Sequence, residues 1–154
     1  MNRVKSFFLA MKHRKFLNSD LSIYKKFLKK KSIFVHIPKT AGRSIINSIY
    51  GNDLKNCGHR TYFFYKYLFT KKRIQNMYTF SFVRNPYSRL FSAYNFLKKG
   101  GENLHDLNAK RDYIDCFKDF NEFINFGLES AVKNNVIHFV PQYNFIAYKG
   151  DILI

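Results

Sequence analysis

Short apolar runs alternate with amphipathic stretches along most of this chain. Ser32-Ile33-Phe34-Val35-His36-Ile37 is β-branched and aromatic, is bounded by Pro38 and is followed by Gly42. That pattern predicts a buried strand ending in a loop. From Ser44 to Tyr50 the apolar Ile45, Ile46 and Ile49 recur at helical spacing, and Gly51-Asn52 stops the run. A polar loop follows over 52–61, and Thr61 to Ile74 reads as an aromatic, basic helix with Phe64, Tyr67 and Leu68 on one face. Tyr78-Thr79-Phe80-Ser81-Phe82-Val83 is a second strand pattern. Asn85 then supplies a cap and Pro86 a first-turn residue for a helix continued by Leu90, Phe91, Tyr94 and Phe96. Lys98 to Arg111 is polar around Gly100-Gly101 and reads as a flexible connection. Residues 117–132 predict a helix with Phe117, Phe120, Phe123, Ile124 and Leu128 as its core face. The closing HFVPQYNFIAYKGDILI approaches and begins a further strand.

Strand, loop, helix, met twice, is the signature of a parallel sheet with right-handed crossovers. The expected fold class is therefore α/β, with a central parallel sheet flanked by helices. Residues 1–31 form a basic N-terminal helix or arm, and 32–154 the α/β domain. In such sheets ligands sit beyond the carboxyl ends of the strands, so the loops after both strands are expected to open on the same edge.

Composition adds a core and a charge. With 154 residues the chain is one domain's length, and 18 Phe and 11 Tyr are enough apolar mass to exclude wholesale disorder. The formal charge of +17 attracts polyanions, phosphorylated cofactors and anionic lipid, but a Lys-, Asn- and Ile-rich bias explains it equally well. Cys57 and Cys116 have neither disulfide-framework nor metal-site spacing. They read as thiols of a reducing compartment, which makes the cytoplasm the expected location. No apolar run is long enough to span a bilayer, and the start MNRVKSFFLAMKHRKF is a poor signal peptide. It reads as an ordinary helix, with a peripheral membrane contact as the alternative.

Two segments carry candidate chemistry. His36-Ile37-Pro38-Lys39-Thr40-Ala41-Gly42-Arg43-Ser44 joins a strand to a helix, where backbone N–H groups make an anion site. Lys39 adds a charge, and Thr40 and Ser44 add hydroxyls. The lysine precedes the glycine, so this is not a Walker A loop. The second is Phe82-Val83-Arg84-Asn85-Pro86-Tyr87-Ser88-Arg89-Leu90-Phe91-Ser92-Ala93-Tyr94. Arg84 ends the strand pattern, where a guanidinium can grip phosphate with two prongs. Ser92 is placed to add a hydroxyl to the same anion, and Arg89 to do likewise or to brace the helix. Taken singly, each of these is as well read as a surface cation or a plain turn.

HIPKTAG followed by SFVRNPYSRLFSAY resembles the carbohydrate-type sulfotransferases that use 3′-phosphoadenosine-5′-phosphosulfate (PAPS), the group of the heparan and chondroitin enzymes and their bacterial relatives. The resemblance covers residues 32–146 and implies a P-loop-like three-layer fold. It implies that Lys39, Thr40, Ala41, Gly42, Arg43 and Ser44 cradle the 5′-phosphosulfate, and that Arg84 and Ser92 hold the 3′-phosphate. Relatives often carry a histidine where this chain has Gly58-His59-Arg60, which marks His59 as general base, with His36 as its competitor.

The activity so implied is sulfuryl transfer from PAPS to a carbohydrate hydroxyl. Lys39 would stabilise the leaving group, and no metal is expected. The implied partner is a polysaccharide acceptor, with no specific nucleic acid. Arg43 departs from the hydroxyl residue that relatives carry there. The family's further strand and helix after such a tail are also lacking, so the expectation is a C-terminally truncated domain. Two rivals remain. A kinase-like protein would need a Walker lysine and a magnesium-binding acid, neither of which is found. A catalytically impaired remnant would bind PAPS, its product or a polyanion through its charge.

Overall fold

A computed structural model of the chain describes residues 3–52 and 58–154, so Cys57 and part of the predicted 52–61 loop lie outside the described residues. The chain forms two compact units. One holds the chain up to Val83 together with Gln142–Ile154, and the other is Arg84–Pro141.

The first unit opens with α1 (Arg3–His13) and α2 (Ile23–Lys30). Ser22 starts α2, its Oγ accepting from the Tyr24 N–H at 3.2 Å. The helix buries Ile23, Tyr24 and Phe27 and leaves Lys29 and Lys30 exposed in its last turn, where cations suit the helix dipole. β1 (Ser32–Phe34) and β2 (Tyr78–Phe80) then pair in parallel, Ser32 opposite Tyr78 and Phe34 opposite Phe80. The Val35 N–H extends the ladder by donating to Phe80 O at 2.9 Å. One residue on, the Ser81 hydroxyl donates to Val35 O at 2.7 Å, so a side chain takes over from the ladder. Both strands therefore stop short of the predicted Ile37 and Val83. Ile33, Phe34, Val35 and Ile37 are fully buried, as a strand buried on both faces requires.

A parallel pair needs a crossover, and α3 (Gly42–Tyr50), α4 (Tyr62–Leu68) and α5 (Lys71–Gln75) lie on it. The single helix predicted over Thr61–Ile74 breaks at Phe69, whose backbone is extended, and Thr70 restarts it by accepting from Arg73 N–H. α1 packs on α4. Ser6 Oγ and Thr61 Oγ1 share a buried hydrogen bond of 3.2 Å, and Phe7 meets Tyr67 edge-on.

In the second unit α6 (Pro86–Lys98) starts as predicted, with Asn85 Oδ1 accepting from the N–H groups of Tyr87 and Ser88 at 3.0 and 3.2 Å. Its Ala93, Tyr94 and Leu97 form a core with Ile114, Phe123, Ala131 and Phe139. The predicted Phe117, Phe120, Ile124 and Leu128 pack against that core. The predicted connection over Lys98–Arg111 contains instead α7 (Leu104–Tyr113), capped by Asn103. Short α8 (Phe120–Glu122) runs through a π-helical turn at Phe123–Gly127 into α9 (Leu128–Lys133).

A buried acid ties α7 to the rest of this unit. Asp106 Oδ2 accepts from Glu102 N–H and Asn103 Nδ2 at 3.0 and 2.8 Å, and Oδ1 accepts from His138 Nε2 at 2.9 Å. Donors thus face both oxygens, and an amide can satisfy only one side. Asp106→Asn is therefore expected to cost about 2 kcal/mol, the penalty of an opposed buried donor. Thermal melting should show it as a loss of about 4–8 °C.

The chain returns to the first unit through α10 (Tyr143–Ile146) and a hairpin of β3 (Ala147–Tyr148) and β4 (Asp151–Ile152). Its two-residue loop has φ 52° at Lys149 and 94° at Gly150, the left-handed pair that suits a tight hairpin. The predicted final strand therefore folds back on itself. The result is a mixed helical chain with short strands, compatible with α/β. The expected three-layer arrangement is met only in part, because among the described residues the parallel sheet has two strands and no more. No described helix is long and apolar enough to cross a membrane.

Candidate active site

The loop after β1 carries most of the candidate residues. Lys39 and Ala41 both take left-handed backbone angles, φ 67° and 61°, which side-chain-bearing residues adopt only where the surroundings enforce it. The enforcement is visible. Thr40 is buried and its hydroxyl donates to Ile37 O at 2.9 Å, closing the turn on itself. That proton is used inward, so what Thr40 can offer a bound anion is its backbone N–H. α3 begins at Gly42, and its first helical bond here runs from Ile45 N–H to Ala41 O at 3.3 Å. The N–H groups of Gly42, Arg43 and Ser44 precede that ladder, at the positive end of the helix. Arg43 and Ser44 are exposed, and Lys39 is half-buried beside them in sequence.

Gly42 is buried against the His36 ring. A Cβ there would lie 1.9 Å from the ring's Cδ2 and 2.0 Å from its Nε2. Only glycine lets the helix start this close to the imidazole. His36 is itself buried and stacks on Phe34 at 5.7 Å. On its other side comes His59, with ring centroids 4.3 Å apart. His59 Nδ1 lies 3.2 Å from His36 O. A carbonyl only accepts, so Nδ1 carries the proton and the basic lone pair of neutral His59 is on Nε2. One backbone oxygen thus fixes the tautomer that a general base needs.

In the second unit, Arg84 is exposed and its Nε donates to Ser88 Oγ at 3.0 Å. Ser88 Oγ in turn donates to Asn85 O at 3.2 Å. Ser92 is half-buried one helical turn further along the same face of α6. Ser88 is the residue the sequence reading missed. Its signal was the spacing, four residues from Arg84 and four from Ser92. Arg89 is buried, and desolvation lowers its pKa to about 10, so it remains a cation at neutral pH.

His36, Lys39, Thr40, Ala41, Gly42, Arg43, Ser44 and His59 belong to the first unit, and Arg84, Ser88, Arg89 and Ser92 to the second. A cleft of about 820 Å³ bordered by Leu28, Lys31, Lys72, Arg73, Asn76 and Met77 adjoins the residues that precede β1 and β2. That is the amino end of the strands, whereas the histidine loop leaves their carboxyl end. Among the described residues no cluster of three His, Cys, Asp or Glu side chains could hold a metal ion.

The model of the sulfotransferase family matches residues 27–152, a span that takes in both strands, the histidine loop, His59 and the Arg84–Ser92 segment. No curated protein and no solved structure matched. The match covers far more than half of the chain and leaves out only residues 1–26 and 153–154, so the chain belongs to the sulfotransferase family.

Proposed function

We propose that this chain transfers a sulfuryl group from PAPS to a hydroxyl of a carbohydrate acceptor by in-line displacement. The observation that carries the proposal is the His36–His59 contact at the mouth of the Lys39–Ser44 turn. It brings His59 against the imidazole that packs on the start of α3, which supports reading the two as parts of one site.

In the proposed reaction the 5′-phosphosulfate lies on the N–H groups of Gly42, Arg43 and Ser44, with Lys39 adding a positive charge. The acceptor oxygen attacks sulfur, and its proton passes to His59 Nε2. The bond from sulfur to the bridging oxygen breaks, and 3′-phosphoadenosine-5′-phosphate (PAP) departs with the electron pair. Lys39 offsets the charge growing on that oxygen. Arg84 holds the 3′-phosphate, with the hydroxyls of Ser88 and Ser92 on the same helix face. The chemistry is positioning and electrostatics.

Thermal-shift titration tests the proposal. PAP is expected to raise the melting temperature in a saturable way, as any ligand of the native state does. ATP is expected to do so weakly, because it lacks the 3′-phosphate. A response to heparin alone would overturn the proposal in favour of a polyanion binder. Arg84→Ala is expected to weaken PAP about 10- to 100-fold, the loss of a charge-assisted phosphate contact. Isothermal calorimetry would measure it.

A further inference from the structure

The positive charge of this chain is not spread evenly. Between Met1 and Val83 the only acids are Asp20 and Asp53, whereas Arg84–Pro141 has nearly as many acids as cations. A bias of composition would mark both stretches alike. Asp20 is taken by Lys25 at 2.7 Å. That leaves two basic runs, Lys29-Lys30-Lys31 and Lys71-Lys72-Arg73, with no free acid near them in sequence.

The fold brings the two runs to one cleft. Lys31, Lys72 and Arg73 border the space of about 820 Å³ at the amino end of the strands, together with Leu28, Asn76 and Met77. Its described lining has no carboxylate. The volume is that of a site for a whole small ligand. Both borders are fixed by backbone contacts. Lys31 ends α2 at φ 49°, and its carbonyl accepts from Tyr78 N–H at 2.9 Å, at the start of β2. A left-handed residue at a helix end is ordinarily glycine or asparagine, so lysine adds a charge where the backbone alone favours another residue. Across the cleft, Thr70 Oγ1 accepts from Arg73 N–H and Asn76 Nδ2 donates to Lys72 O at 3.2 Å, which pins α5 at both ends.

Three cations gathered in one concavity repel one another and focus a field that a compact polyanion relieves. Linked phosphates bring several charges within a few ångströms. Arg73 can take two phosphate oxygens at once, and the lysines act as point charges. Leu28 and Met77 leave an apolar border for the carbon part of a ligand. The histidine loop leaves the opposite end of the strands, so this cleft is separate from the proposed nucleotide site.

We infer that the cleft of Lys31, Lys72 and Arg73 is a second anion site, which binds a ligand carrying clustered phosphates, either free in solution or on a lipid headgroup. It does not depend on the sulfotransfer reading.

Two probes separate the sources: inorganic pyrophosphate, and phosphatidylcholine vesicles with or without phosphatidylinositol 4-phosphate. Pyrophosphate is expected to bind saturably in calorimetry, and the phosphoinositide vesicles to sediment the protein where plain vesicles do not. Binding of pyrophosphate shows that a free phosphate ligand suffices, and binding of the vesicles alone assigns the site to a headgroup. Replacing Lys72 and Arg73 together by Gln is expected to weaken either response about tenfold or more, the loss of two charge-assisted contacts. Lys31→Gly is expected to weaken it about threefold yet melt within about 2 °C of the parent, because glycine suits the left-handed backbone. That variant keeps the test decisive if the double variant does not fold. No binding of either probe, or binding that the folded cleft variants leave at the parent's strength, overturns the inference. Loss of pyrophosphate binding in Lys39→Ala, with the cleft variants unaffected, would overturn it too and move the anion to the loop after β1.

Discussion

His59→Ala is expected to lower kcat about 10²- to 10⁴-fold, the usual contribution of a positioned general base, while PAP affinity stays within threefold of the parent. The argument starts from a carbonyl. His36 O can only accept, so the 3.2 Å contact assigns the proton to His59 Nδ1 and the lone pair to Nε2. Imidazole has an ordinary pKa of about 6.5, close enough to neutrality to take a proton from an attacking hydroxyl and release it afterwards. In the proposed reaction His59 touches the acceptor and not the nucleotide, which is why turnover and PAP binding should separate. Single-turnover transfer of labelled sulfate measures the first, and calorimetry the second. Retained turnover would pass the base role to His36, whose ring is 4.3 Å away. His36 is a poor candidate on burial: it is 9 % exposed and wedged between Phe34 and Gly42. His59 is half-buried and lines a pocket.

How much of this was legible in the sequence depended on whether the determining interaction was local. The start of α6 was, because Asn85 and Pro86 fix a helix N-terminus within three residues. So was the aromatic face from Phe117 to Leu128, because apolar spacing alone decides which side of a helix is buried. α7 was hidden. Its residues are polar with no apolar stripe, and it is held by the Asp106–His138 bond, made across 32 residues of sequence. Strand ends were hidden for a similar reason. Ile37 and Phe82 have strand-like side chains, but pairing ends where the Ser81 hydroxyl takes Val35 O. At the site, the motif residues were readable as a string, whereas Ser88 was not. Ser88 becomes relevant only through its contact with Arg84.

Gly42→Ala is expected to cost about 3 kcal/mol, at the upper end of overpacking a closed site, and to lower the melting temperature by about 6–12 °C. The new methyl would sit 1.9 Å from His36 Cδ2, far inside any real carbon contact. Something has to move, and neither side moves cheaply. The imidazole is buried between Phe34 and His59, and the helix start is held by the left-handed Ala41 and the Thr40–Ile37 bond. If the ring yields, His36 shifts and with it the oxygen that orients His59. If the helix yields, the N–H groups of Gly42, Arg43 and Ser44 shift relative to the phosphosulfate proposed to lie on them. Either way PAP binding or turnover should fall further than the melting temperature alone accounts for. A double variant isolates the contact: His36→Ala removes the ring and makes room for the methyl. Combined with it, Gly42→Ala should cost under about 1 kcal/mol, a coupling of about 2 kcal/mol between the two positions. Chemical denaturation of the parent, both single variants and the double variant would measure that cycle. Additive effects, or a Gly42→Ala protein that melts with the parent, would show that the loop and the imidazole are not packed as described.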